Sequence, residues 1–214
     1  MRWLMAGFLG GLFLPGIGGL AFAQADGPES GRPEGGKGPA PAPRSAPRGV
    51  VTHVPSQAAG AGGIAVRVVF PTRPRHDDGA PVAIAVRPGS HDENDAGQLN
   101  VADSGVAEVY YAAAERAGAA YDFGGPDWIL RLRDVIHFAL GRTADTTGQS
   151  IQDLSAQAPT SGVRVLTSNV GIVGFSHGGN ACGAAMGLHG KQVPELAWYV
   201  SWERPYGEGW SAER

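Results

Sequence analysis

The chain has 214 residues, 43% of them hydrophobic, with 34 Gly, 16 Pro, one Cys and a formal net charge of −3. That length suits about one domain. The slight acidity argues against nucleic acid as a partner, because a phosphate backbone calls for a basic face. The single cysteine, Cys182, rules out an intrachain disulfide.

Residues 1–23 have the pattern of a secretory signal peptide. Arg2 supplies the positive start, residues 3–20 are apolar apart from glycines and Pro15, and Ala21-Phe22-Ala23 forms a small-x-small cleavage site. The pattern predicts a secreted or periplasmic protein with no stable membrane span after cleavage. Residues 24–63 read as a flexible linker. Six Pro and six Gly fall within 26–50, and such a segment buries too little apolar surface to offset its ordering entropy.

The folded region is expected over 64–214. Residues 64–70 form a β-branched run and read as a strand, followed by a polar turn over 71–81. Residues 82–86 are a short apolar strand ended by Arg87-Pro88-Gly89, and 106–111 is a third strand candidate. Residues 126–140 predict a helix. Trp128, Leu132, Val135, Ile136 and Ala139 share one face, and Pro126 suits the first turn. Residues 169–175 and 196–202 read as strands, and the small apolar residues 178–189 as a helix between them. Short apolar strands alternating with helices predict an α/β fold with a mainly parallel sheet flanked by helices.

One hexapeptide carries chemistry: Gly174-Phe175-Ser176-His177-Gly178-Gly179. It fits Gly-x-Ser-x-Gly, the nucleophile elbow of serine hydrolases. A glycine-rich chain can produce that pattern by chance, but its setting strengthens it. The apolar run 170–173 leads into the motif and small residues at 180–186 lead out. A strand–turn–helix would project the Ser176 hydroxyl from the sheet edge. Gly174 and Gly178, followed by Gly179, would leave room where strand and helix nearly touch. The His177 N–H, at the helix N-terminus, would face a developing oxyanion.

These residues resemble the α/β-hydrolase superfamily, most specifically its secreted esterases and peptidases. The resemblance spans residues 64–209. Residues 121–125 look like a loop that follows a central strand in those proteins, and Asp134 sits where many of them place an aspartate. It implies acyl transfer on a small-molecule ester or peptide, with no cofactor required. Ser176 would be the nucleophile and the His177 N–H one oxyanion donor. A second donor would come from Arg87-Pro88-Gly89-Ser90-His91, at Gly89 or Ser90.

The constellation is incomplete. The family's chain order is Ser, then acid, then His. Glu203, just past a strand end, is the best acid candidate, with a surface pair to Arg204 as its ordinary alternative. The histidines are His53, His76, His91, His137, His177 and His189, and none follows the strand at 196–202. The resemblance therefore implies a hydrolase domain that is C-terminally incomplete, truncated before the catalytic histidine, with little or no triad activity. The alternative is a non-catalytic extracellular remnant or binding module of the same fold. His91 could approach Ser176, though its use as base would depart from the family pattern.

A second pattern lies at 92–103. Asp92, Asn94, Asn100 and Asp103 match positions one, three, nine and twelve of a calcium loop, with Gly97 at the turn. Ala96 departs from it, since position five calls for Asp or Asn. Calcium is thus a possible ligand, and a polar loop of turn formers is the alternative.

Overall fold

The structure is a computed structural model, and it describes residues 49–87, 99, 101–112, 125–158 and 162–202. All of these lie in the unit Arg44–Arg214. The expected signal peptide and residues 24–48 of the expected linker lie outside the described residues.

Among the described residues, six strands form one sheet: β1 (Val50–Val54), β2 (Ile64–Val69), β3 (Ala80–Val86), β4 (Ala107–Tyr111), β5 (Val165–Phe175) and β6 (Trp198–Trp202). Their spatial order is β1-β2-β4-β3-β5-β6. The pairs β1–β2 and β2–β4 are antiparallel, whereas β4–β3, β3–β5 and β5–β6 are parallel. Among the described residues, three α-helices join them: α1 (Pro126–Ala139), α2 (Ile151–Gln157) and α3 (His177–His189).

The boundary expected at residue 64 needs correction. The sheet already includes Val50–Val54, inside the stretch read as linker, paired with Ile64–Val68 in register. Val50, Val51, Thr52 and Val54 are β-branched and favour extended backbone. The proline- and glycine-rich residues on either side obscure that signal. Helix α2 was also not anticipated. It starts with a reciprocal cap, in which Ser150 Oγ accepts from the Asp153 N–H and the Asp153 carboxylate accepts from the Ser150 N–H.

The core lies between the sheet and α1 and α3. Val82, Ile84, Val86, Val170 and Ile172 pack in one cluster with Trp128, Leu132, Val135, Ile136 and Ala139 of α1 and with Ala181, Cys182 and Ala185 of α3. All five positions expected on the buried face of α1 are buried. β3 is buried along its whole length, as a central strand of a parallel sheet should be. A smaller cluster of Val69, Ala85 and Tyr110 covers the other face.

Two polar anchors tie the periphery to this core. Arg131, almost fully buried, donates from Nε and Nη2 to the Ala58 carbonyl at 3.2 and 2.8 Å. The buried Asp145 carboxylate accepts from Thr52 Oγ1 on β1 at 2.5 Å, from Thr147 N–H and Oγ1 at 2.8 and 2.7 Å, and from Gln149 N–H at 2.8 Å. The loop after α1 is thereby fastened to the sheet edge.

Candidate active site

The site is built at a reversal of the strand order. β3 is followed in the chain by its neighbour on one side, β4, and β5 by its neighbour on the other, β6. Connections that leave two adjacent parallel strands in opposite directions open a crevice at their carboxyl ends, where α/β sheets bind ligands. Val86 and Gly174 pair at that end, and Ser176 follows two residues later.

Ser176 is the N-cap of α3, with φ 51° and ψ −122°. Among the described residues it is the single non-glycine residue with positive φ. A side chain in that region is strained, and such strain persists where the surroundings over-determine it. The surroundings are visible. The Ser176 N–H donates to the Trp202 carbonyl at 2.8 Å, at the end of β6. The Tyr199 hydroxyl donates to the Gly179 carbonyl in the first turn of α3 at 2.7 Å. β6 thus holds the turn on both sides of the serine.

A Cβ at Gly174 would lie 2.5 Å from Gly179 Cα, and one at Gly178 would lie 2.1 Å from the Val86 carbonyl oxygen. Neither position admits a side chain unless backbone moves. Strand β5, helix α3 and the end of β3 therefore meet at the elbow itself. The first turn of α3 leaves the His177 N–H without an intrahelical acceptor, as at any helix start. Ser176 is half-buried and the His177 side chain is exposed.

The remaining expected site residues divide into two groups. Gly89, Ser90, Glu203, His91, Asp92, Asn94 and Asn100 lie outside the described residues. Their chain neighbours are informative, however. Arg87, two residues before Gly89, follows Val86 beside Gly178. Trp202, whose carbonyl meets Ser176, immediately precedes Glu203. Asp103 is exposed in a single 3₁₀ turn, Ala102–Ser104. Among the described residues, no group of three or more His, Cys, Asp or Glu side chains could hold a metal ion.

The described histidines are distant from Ser176, His177 apart. His53 is on β1, four strand spacings from β5, or roughly 19 Å. His76 precedes β3 at the opposite end of the sheet from the elbow. His189 closes the 13-residue helix that Ser176 opens, roughly 18 Å along its axis. His137, near the C-terminus of α1, neighbours Gln192 just past the far end of α3, and burial lowers its pKa, with Arg142 and Arg133 adding to the effect. The Ser176 hydroxyl hydrogen-bonds to none of the described side chains. Asp134 takes the guanidinium of its neighbour Arg133 at 2.6 and 2.9 Å. It lines an open depression of about 700 Å³ with Pro55, Ser56 and Gln57, which includes no elbow residue.

The features missed from the sequence are the two β6 contacts, Trp202 with Ser176 and Tyr199 with Gly179. They depend on which strand lies beside β5, and no local pattern encodes that.

No family model and no curated protein matches the sequence. Solved structures do resemble the fold. Esterase Est22 aligns at 14% identity over 77% of this chain and 46% of its own, with a TM-score of 0.50. A serine hydrolase from Xanthomonas campestris, XC6422, described as an α/β serine hydrolase without a lid, aligns at 18% identity over 78% of this chain and 65% of its own, with a TM-score of 0.45. The carboxylesterase EstE1, cloned from a metagenomic library, aligns at 18% identity over 72% of this chain and 45% of its own, with a TM-score of 0.44. The chain thus spans less than two thirds of the length of each. The mixed, mostly parallel sheet in this strand order is the α/β-hydrolase fold.

Proposed function

We propose that this chain carries the nucleophile and oxyanion part of a serine hydrolase acting by acyl transfer on a small ester or peptide. The observation that carries the reading is Ser176 itself, a non-glycine residue held at φ 51° on a strand–helix turn by contacts from β3 and β6. A serine so placed projects at the mouth of the crevice, with an unpaired helix N-terminus beside it. The esterase names of the similar structures favour an ester substrate.

In the proposed reaction, Ser176 Oγ attacks the carbonyl carbon and passes its proton to a base. The resulting oxyanion accepts hydrogen bonds from the His177 N–H and from Gly89 or Ser90 N–H. Its collapse expels the alcohol or amine and leaves the acyl group on Oγ, and water then releases the acid. Glu203, which directly follows Trp202 at the elbow, would orient the base. The base is not His53, His76, His137 or His189, given their distance. His91, five residues after the end of β3 in the chain, is the candidate within this chain. The pattern of residues 1–23 supports action outside the cytoplasm. Among the described residues, no helix is long and apolar enough to cross a membrane.

That the Ser176 hydroxyl bonds to none of the described side chains favours one second reading, a binding module that keeps the fold without turnover. Steady-state hydrolysis of a p-nitrophenyl ester separates the parts of the account. Turnover close to that of Ser176→Ala is expected while no base is engaged. Ser176-dependent turnover that survives His91→Ala would overturn the assignment of the base.

A further inference from the structure

Residues 190–197 join α3 to β6, and a small polar clasp fastens them to the end of α1. A 3₁₀ turn, Gly190–Gln192, follows His189. Val193 and Leu196 then enter the core cluster that includes α1, while Lys191, Gln192, Pro194, Glu195 and Ala197 are exposed. The backbone is held by Val193 N–H on the Gly190 carbonyl at 3.3 Å, Leu196 N–H on the Val193 carbonyl at 3.1 Å and Ala197 N–H on the Val170 carbonyl at 2.8 Å. The clasp itself comes from Arg142, whose N–H donates to the His137 carbonyl at 2.9 Å and so ties it to α1. Its Nη1 donates to the Gln192 carbonyl and its Nη2 pairs with the Glu195 carboxylate. Both side chains of that ion pair are partly open to solvent, where such a pair alone contributes little.

His137 lies in the same clasp, beside the Gln192 backbone. Its Nε2 is buried and has no hydrogen-bond partner among the described residues. A neutral imidazole leaves only one lone pair or one N–H unused there, whereas an imidazolium must donate from both nitrogens. A proton on Nε2 would therefore be buried without an acceptor, which is costly. Arg142 and Arg133 also oppose a positive ring, while the Gln192 backbone, Asp134 on α1 and Glu195 on the connection favour one. Burial is the largest influence, and the ring's pKa falls below its ordinary 6.5. His189, at the α3 end of the connection, likewise has Nδ1 buried without a partner among the described residues.

We propose that this clasp is an acid-released latch: protonation of His137 frees residues 190–197 from the end of α1 and loosens β6, into which they lead. Opening the connection gives the ring to water, where both N–H groups of the imidazolium find acceptors. The closed form keeps the ring neutral and opening takes up a proton. The advantage of the closed form is therefore complete above pH 6.5 and is lost as the pH falls from 6.5 through the depressed value. The Glu195 carboxylate, held below its ordinary 4.5 chiefly by its bond from Arg142, titrates in a separate, more acidic range. β6 carries both contacts that hold the elbow, Trp202 with Ser176 and Tyr199 with Gly179. The latch thus couples pH at the far end of α3 to the backbone around Ser176. The inference does not depend on any hydrolase activity.

The test is native-state hydrogen exchange of the full chain between pH 7.5 and pH 5, read at single amides by NMR and corrected for the intrinsic rate. Protection at Val193, Leu196 and Ala197 is expected to fall by about threefold or more relative to Ile84 and Ile172 in the centre of the sheet. The Ser176 amide should follow. His137→Gln, uncharged throughout, should show level protection at these amides. Glu195→Gln should lower protection at every pH yet keep the acid response, and His189→Gln should keep it too. Titration of the His137 ring in the wild type needs no variant, and a pKa below 6.5 is expected. A value at or above 6.5 would overturn the proposal. So would protection at Val193, Leu196 and Ala197 that ignores pH or merely tracks Ile84 and Ile172. An acid response that survives in folded His137→Gln, or disappears in folded His189→Gln, would overturn it as well.

Discussion

Gly178 and Val86 are in backbone contact across the elbow: a Cβ on Gly178 would sit 2.1 Å from the Val86 carbonyl oxygen. The contact sets how closely helix α3 approaches the end of β3. Gly178→Ala must shift one backbone against the other and should cost about 1–3 kcal/mol, as overpacking does. Gly187, in the same helix, is an internal control. It is exposed and has nothing within 4 Å of a Cβ. Gly187→Ala should stabilise the chain by about 0.5–1 kcal/mol, because alanine loses less backbone entropy in a helix. Urea unfolding of the two variants should therefore move in opposite directions.

Ser176 stores strain that glycine would release. Positive φ for a residue with a side chain costs on the order of 1–3 kcal/mol. Ser176→Gly is expected to raise stability by about 1–2 kcal/mol, whereas Ser176→Ala keeps the strained Cβ and should change stability little. Thermal melts of the pair read this directly. Equal melting temperatures would mean that the elbow relaxes and holds no strain.

Asp145 should make the fold acid-sensitive. Burial raises its pKa, but hydrogen bonds from Thr52, Gln149 and Thr147 outweigh that and leave it below its ordinary value of 3.8. A carboxylate whose folded pKa is depressed adds stability above its unfolded pKa. That contribution is lost as the pH falls from about 3.8 through the folded value. Asp145→Asn should cost about 1.5–3 kcal/mol at neutral pH, the range for hydrogen bonds to a charged group. The deficit should shrink as the wild type is acidified below 3.8. A deficit constant from pH 7 to pH 3 would place the effect in packing instead.

The parts of this molecule that are local in sequence were legible. The α1 face of Trp128, Leu132, Val135, Ile136 and Ala139 follows from helical spacing, and the elbow from glycines that flank a serine between an apolar run and small residues. Each signal lies within one element and its turn. Strand β1 was hidden because five extended residues sit between segments rich in Pro and Gly, and composition over a wide window outweighed them. Helix α2 was hidden because it is only two turns long, and its Ser150–Asp153 cap was its clearest mark. The support of Ser176 by Trp202 and Tyr199 was not legible at all. It arises from strand order, which brings together residues twenty or more positions apart.

The central claim is that Ser176 is a nucleophile poised at an oxyanion site. Its most direct measurement is covalent capture by a fluorophosphonate, with the adduct located by peptide mass spectrometry. A single attack on phosphorus uses the elbow and its backbone donors, and some catalysis from them survives without the other triad members. The account predicts one adduct per chain, on Ser176, lost in Ser176→Ala. A folded wild-type chain that forms no adduct, or one whose adduct persists in Ser176→Ala, would contradict it.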